Sequence, residues 1–167
     1  MPIEVRPARP EEFDEAGAVT ALAYHEFVRP DDPGSWNEYL TRIADVGKRA
    51  ARTVVLIAVD EGGAILGSAT LELDGRTDPD DEPLESGEAH IRMLGVHPDA
   101  RRRGIAGSLM DGCTQRARAA GKTMITLNTT ERMQAAQRMY EGMGFERRPD
   151  RVFPDGFVLL SYEKSLG

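Results

Sequence analysis

AHIRMLGVHPDARRRGIAGSL, residues Ala89–Leu109, holds three kinds of sequence in one run. Ala89–Val96 is mostly apolar and reads as a largely buried strand, which Pro98 ends because proline cannot donate to a ladder. Alternation along that strand predicts Ile91 and Met93 on one face and His90, Arg92, Leu94 and Val96 on the other. Arg101, Arg102 and Arg103 bring three positive charges, Gly104 follows, and Ile105, Leu109, Cys113 and Ala117 then repeat at four-residue spacing as one face of a helix. The stretch therefore predicts a strand that turns through a basic loop into a helix N-terminus. Such an end offers unpaired N–H groups and the positive pole of the helix dipole, and Gly104 and Gly107 leave room for close approach. An anion, phosphate above all, is the natural ligand there. The loop is not a P-loop, since no G-x-x-x-x-G-K-[ST] occurs in the chain, nor is it G-x-G-x-x-G. A solvated basic turn would account for the loop alone; the order of the elements after it favours the ligand.

The helix runs to about Ala120, with Gly121 as its C-cap. Thr123–Asn128 reads as the next strand, and Thr129 or Thr130 as the cap of a helix carrying Met133, Ala136, Met139, Tyr140 and Met143. Phe145–Arg148 is expected as a strand, Pro149–Gly156 as a turn and Phe157–Tyr162 as the last strand.

Upstream, Ile3 and Val5 mark a short first strand stopped by Pro7 and Pro10. Glu11–Phe27 has helical spacing, RPDDPGS breaks it, and the capping box Ser35-x-x-Glu38 opens a second helix from Trp36 to about Arg49. Thr53–Val59 and Ala64–Leu73 are strands joined by a hairpin turn at Asp60–Gly63. Asp74–Glu88 then carries seven carboxylates against one arginine. It is either an acidic lip that steers a cationic amine or a solvated acidic loop.

One hundred and sixty-seven residues predict one domain over residues 1–167. No stretch has the length of apolar sequence a membrane helix needs, and MPIEVRPARPEEF lacks the apolar run of a signal peptide. Cys113 is the lone cysteine, which excludes an internal disulfide and points to a reducing cytoplasm; on the apolar face of its helix it reads as core filler. A net charge of −7 argues against a nucleic-acid partner. His90 and His97 have no third histidine or cysteine at zinc spacing, so no metal site is expected.

Arg101-x-x-Gly104-x-Ala106 matches the [QR]-x-x-G-x-[GA] signature of the GCN5-related N-acetyltransferases (GNAT). Met93-Leu94-Gly95-Val96-x-Pro98 and Ala136-x-x-Met139-Tyr140-Glu141-x-Met143-Gly144-Phe145 sit where that family keeps its other two signatures. The chain thus resembles that family most specifically over residues 88–146. The resemblance implies an α/β (α+β) fold: a mixed, mostly antiparallel seven-stranded sheet flanked by about four helices, the parallel pair lying around the cofactor. It implies acetyl-CoA as co-substrate and transfer of acetyl to a primary amine by direct attack, the acceptor being a small-molecule or a protein amine. No membrane partner is implied, and the molecule is expected as a monomer or homodimer. The alternative is a non-catalytic sensor of acyl-CoA on the same fold.

The resemblance also assigns residues. Leu94, Gly95 and Val96 would pair with the pantetheine arm, and the backbone of Arg102, Arg103, Gly104, Ile105, Ala106 and Gly107 would hold the pyrophosphate. Arg101 would contact phosphate or only close the loop. Tyr140 would be the general acid: a phenol, with pKa about 10, can protonate a departing thiolate without ionising at neutral pH. Glu88 would be the general base, with His90 and His97 as alternatives. The family often has asparagine where this chain has Met133, and Asn128 is the candidate substitute on the cofactor arm. Tyr24, His25, Glu26, Trp36 and Tyr39 would either touch the acceptor or pack helices onto the sheet, and Arg147, Arg151 and Phe153 would border the acceptor site.

Overall fold

The computed structural model describes residues 2–29, 34–154 and 156–167, with the side chains of residues 34–36 also outside that description. The turn expected at residues 30–33, the Ser35 capping box and the Trp36 side chain lie outside the described residues.

Seven strands form one sheet. In chain order they are β1 (Glu4–Pro7), β2 (Val54–Val59), β3 (Ile65–Glu72), β4 (Glu88–Val96), β5 (Met124–Thr130), β6 (Glu146–Val152) and β7 (Val158–Ser165). Their spatial order is β1-β2-β3-β4-β5-β7-β6, and every pair is antiparallel except β4–β5. That pair is parallel because the chain returns through a helix, α4 (Ile105–Ala119), rather than through a hairpin. The other helices are α1 (Phe13–His25), α2 (Gly34–Ala44), α3 (Val46–Ala50) and α5 (Gln134–Gly142). VVLIAV of β2 is apolar on both faces because helices cover both sides of the sheet. Leu56, Leu71, Ile91 and Leu127 form one core with Ile105 and Leu109 of α4 and Tyr140 of α5. Val55, Ile57, Val59 and Ile65 form the other with Ala16 and Val19 of α1 and Val46 of α3. A Cβ built on Gly17 would lie 2.0 Å from the Ala44 carbonyl oxygen, so only glycine lets α1 cross the end of α2 there. No helix among the described residues is long and apolar enough to cross a membrane.

Several boundaries differ from expectation. The single helix expected over residues 36–49 is two, α2 and α3, because the Asp45 side chain accepts from the Lys48 N–H and restarts the helix. The described residues therefore hold five α-helices, against the expected number of about four. Thr129 and Thr130 do not cap α5; they extend β5 and pair with Leu160 and Leu159, as β-branched residues suit a strand. Strand β6 continues through Pro149 instead of turning there. A register shift between Arg148 and Arg151 on this edge strand absorbs the proline, which has no N–H to donate.

Simple alternation fails in β4. Ala69 of β3 faces two residues of β4, Met93 and Leu94, because Ser68 pairs with Gly95 while Thr70 pairs with Arg92. Met93 takes φ +53, so the strand carries a bulge. The extra residue shifts the phase: Ala89 and Ile91 pack on the α4 side before the bulge, and Leu94 and Val96 pack on that same side after it. Gly95 consequently faces α1, where its Cβ would meet that of Ala23 at 3.0 Å. Leu94 and Val96 therefore do not share a face with His90 and Arg92.

Candidate active site

The bulge opens the sheet. Strands β4 and β5 pair only from Glu88↔Met124 to Ile91↔Leu127, and from Arg92 onward β4 has no strand partner on its β5 side among the described residues. The gap runs toward the loop that enters α4. There Arg102 (φ +63) and Gly104 (φ +76) take left-handed conformations. No backbone carbonyl among the described residues accepts from the N–H groups of Arg102–Gly107. Six amides at a helix N-terminus thus stand ready for an acceptor. A Cβ on Gly104 would meet nothing within 4 Å, and one on Gly107 would meet only the Met143 Cε at 3.9 Å. The protein's own packing does not demand glycine at Gly107, which fits a position kept open for a ligand.

The remaining residues expected at the cofactor fall into two sets. Ile105 is buried beneath α4 and anchors the loop, while Arg102 and Arg103 are exposed beside it and Ala106 is partly exposed in the first helical turn. The side chain of Arg101 is committed elsewhere. Its Nη1 donates to Glu26 Oε2 at 2.9 Å and its Nη2 lies 2.5 Å from Glu26 Oε1. Of the two roles open to it, Arg101 closes the loop onto the end of α1. Asn128 accepts from Ser161 Oγ at 2.9 Å and lines the second feature of the site.

That feature is a cleft of about 1150 Å³ on the α1 side of the sheet. Tyr24 and Tyr39, edge to face at 6.4 Å between ring centres, form part of its wall, and Phe153 and Phe157 another part. His90, Arg92 and Met93 contribute from β4. Of the residues expected near the acceptor, Tyr24, Tyr39, Arg151 and Phe153 line the cleft, whereas His25, Glu26 and Arg147 do not. Arg147 instead pairs with Asp150 and stacks over Tyr162. The acidic segment is no lip: Asp81 turns inward to Arg92 at 3.0 Å, Asp74 reaches Lys122 at 3.2 Å, and Asp81 alone of its carboxylates lines the cleft.

Glu88 is not among the lining residues, but it reaches the cleft through one hydroxyl. Thr126 Oγ1 donates to Glu88 Oε2 at 2.5 Å and lies 2.7 Å from His90 Nδ1. A threonine hydroxyl has a single proton, and a carboxylate can only accept. The His90 proton therefore sits on Nδ1 and points at Thr126, leaving Nε2 with its lone pair. Burial, with Arg76, Arg92 and Arg148 nearby, lowers the His90 pKa to about 3, so the ring is neutral. His97, by contrast, accepts from the Asp99 N–H beyond the end of β4, away from the cleft.

The family model described as Acetyltransferase (GNAT) family matches residues 21–145, a span that includes the bulge, the loop and α5. The chain belongs to the GNAT family. Among solved structures, this GNAT chain is similar to a GNAT-family acetyltransferase from Staphylococcus aureus Mu50, with 17% identity, TM-score 0.73 and coverage of 99% and 100% of the two chains. It is similar to a GCN5-related N-acetyltransferase from Rhodopseudomonas palustris at 20% identity, TM-score 0.73, over 99% and 96%. It is also similar to yncA from Salmonella typhimurium, determined with its cofactor acetyl-CoA, at 16% identity, TM-score 0.65, over 99% and 94%.

In this GNAT protein Tyr140 is 6% exposed and packs between Phe145 and Tyr162, at 5.9 and 6.0 Å between ring centres. Its hydroxyl has no hydrogen-bond partner among the described residues. Burial raises its pKa well above that of an ordinary phenol. Cys113 is fully buried and its thiol is pushed up to about 12, which removes it as an acyl carrier. Thr126 and Arg42 are among the residues at the site that sequence reasoning missed. Period-two spacing from Glu88 to His90 could have raised the first once β5 was known to lie alongside; nothing local distinguishes Arg42 from its neighbours.

Proposed function

We propose that the protein transfers the acetyl group of acetyl-CoA to a primary amine by direct attack. The observation that carries this reading is the gap between β4 and β5 leading straight to the unsatisfied amides of Arg102–Gly107. Those amides fit a pyrophosphate, and the freed β4 backbone at Leu94, Gly95 and Val96 fits an extended amide-bearing arm. Bound acetyl-CoA supplies the thioester. The amine nitrogen forms the amide bond, the C–S bond breaks, one proton leaves the nitrogen and one arrives at the departing sulfur.

The protein supplies both proton positions. His90 Nε2, neutral and oriented by Thr126 and Glu88, accepts a hydrogen bond from the amine N–H and passes the departing proton on to water, since a ring with a pKa of about 3 does not retain it. The Tyr140 hydroxyl, protonated throughout the neutral range, gives one to sulfur. Glu88 then acts as a positioning residue, holding the histidine tautomer rather than touching the amine. Backbone N–H near Leu94 holds the carbonyl oxygen as it gains charge.

The test is release of free CoA thiol from acetyl-CoA across amino acids, polyamines, aminoglycosides and lysine peptides, with wild type and Tyr140→Phe side by side. Amine-dependent release that collapses in Tyr140→Phe supports the reading. Wild-type protein that binds acetyl-CoA and turns over with no amine overturns it in favour of a sensor.

A further inference from the structure

The chain carries a net charge of −7, yet its cleft is cationic. Among the described residues, six arginines line it against two carboxylates, Asp81 and Glu131. The arginines do not contribute equally. Arg76 and Arg92 are neutralised within the fold: Arg76 Nε lies 3.0 Å from the fully buried Glu72 carboxylate, and Arg92 lies 3.0 Å from Asp81 and 3.9 Å from Glu72.

Arg42 and Arg151 are different. Neither has a carboxylate within ion-pair distance among the described residues, and each guanidinium stands over an aromatic ring. Arg42 is 5.6 Å from the Tyr39 ring centre and Arg151 is 4.8 Å from that of Phe153. An aromatic face orients a guanidinium while leaving its N–H edge free for a planar anion. Arg42 comes from α2 and Arg151 from β6, so the two are presented from separate elements of one cleft.

A third guanidinium lies behind this wall. Arg49 is 2% exposed; its Nε donates to Thr70 Oγ1 at 3.0 Å and its Nη1 to the Arg42 carbonyl at 2.9 Å. Its Nη2 is buried without a hydrogen-bond partner, and no carboxylate lies within ion-pair distance of it, among the described residues. A buried, uncompensated cation is costly unless an anion arrives. Burial already draws its pKa down to about 10.

We infer that the acceptor is a primary amine that also bears an anionic group, a carboxylate or a phosphate, held by Arg42 and Arg151 while the amine points toward the β4–β5 gap. This deepens the transferase reading and rests on it for the direction of the amine. The same field favours the chemistry: guanidiniums beside the amine favour its uncharged, nucleophilic form. A polycation, by contrast, meets repulsion throughout the cleft.

The test uses matched pairs on the full chain: each of the common amino acids against its carboxamide, and O-phosphoethanolamine against ethanolamine, with spermidine as the polycation. Binding is measured by calorimetry in the presence of CoA, and turnover by thiol release. The anionic member of at least one pair is expected to bind about tenfold or more tightly than its uncharged counterpart. Which pair it is separates carboxylate from phosphate. Arg151→Gln and Arg42→Gln are expected to abolish that preference, and Arg151→Lys to retain part of it, with CoA binding by each variant as the check on folding. A panel in which no anionic member outbinds its uncharged counterpart overturns the inference, as does a preference that survives both glutamine variants. Selective binding of the anionic amine without turnover leaves this inference standing and overturns the transferase reading instead.

Discussion

His90 Nδ1 and Thr126 Oγ1 lie 2.7 Å apart, and the two residues are also register partners across the one parallel pair of strands. The contact exists only because β5 returns alongside β4 before the strands part. It places Glu88, which lies outside the cleft, one hydroxyl away from a ring that lines it.

Thr126→Val removes that hydroxyl and leaves the His90 tautomer unfixed. We expect kcat/KM for acetyl transfer to fall about tenfold to a hundredfold, in the range of other partners that orient a working histidine. Thr126→Ser should restore most of it. Calorimetry with acetyl-CoA should show unchanged affinity, and the pH–rate profile of the valine variant should shift. A valine variant with wild-type rate and profile would remove His90 from the proton path.

Stability should fall in acid through His90. Its folded pKa, about 3, lies below the ordinary 6.5, so between those values the unfolded chain binds a proton that the folded chain refuses. Stability from this group is therefore complete above about pH 6.5 and is lost progressively as pH falls toward 3. Urea melts at pH 7.5, 6, 5 and 4 should show this loss, and His90→Gln should show a shallower decline. Parallel curves for the two proteins would contradict the neutral, buried ring.

Tyr140→Phe should separate chemistry from folding. The hydroxyl makes no hydrogen bond among the described residues, so its removal should change stability by less than about 1 kcal/mol in a urea melt. The rate of thiol release should nevertheless drop about a hundredfold.

Gly95 and Gly107 should respond in opposite ways to alanine. At Gly95 the new methyl meets Ala23 at 3.0 Å and Thr20 at 3.4 Å, and overpacking of this kind costs about 1–3 kcal/mol. At Gly107 there is space, and alanine in a helical turn is worth about 0.5–1 kcal/mol over glycine, so the fold should gain stability. The same Gly107→Ala protein should bind CoA more weakly, because its methyl occupies the approach to the α4 amides. Thermal melts with and without CoA measure both effects.

Arg101 should matter less than its place in the motif implies. Its guanidinium is occupied by Glu26 on a pair that is about two-fifths exposed, where such bonds are worth about 0.2–1 kcal/mol. Arg101→Gln should change CoA affinity by less than about threefold at physiological salt.

What the sequence made legible was local: the basic loop that turns at Gly104 into α4, the parallel pair from the strand–helix–strand order, the buried Cys113 from its helical spacing. What it hid depends on partners far along the chain. A bulge leaves no side-chain signature, so simple alternation put Leu94 and Val96 on the wrong face. Thr129 and Thr130 are good caps and good strand residues, and only the presence of β7 alongside decides between them. Pro149 reads as a stop until the strand is known to be an edge. The charge of the cleft was hidden most deeply. Glu72 and Asp81 neutralise Arg76 and Arg92 across the fold, so the acidic segment that looked like a lure for cations spends part of its charge inside.

The bulge at Met93 gives the chain an unusual vulnerability to a change in length. Removing Met93 would let β4 run in plain register with β3, Leu94 alone facing Ala69, and every later side chain of the strand would keep its face and its β3 partner. Leu94 and Val96 would stay in the α4 layer, while the β5 edge would be free to zip closed past Leu127. The product would be a more regular sheet with no entrance. The opening on which this fold depends is thus one residue of surplus chain, a kind of information that substitution scanning would not find and a single codon deletion would.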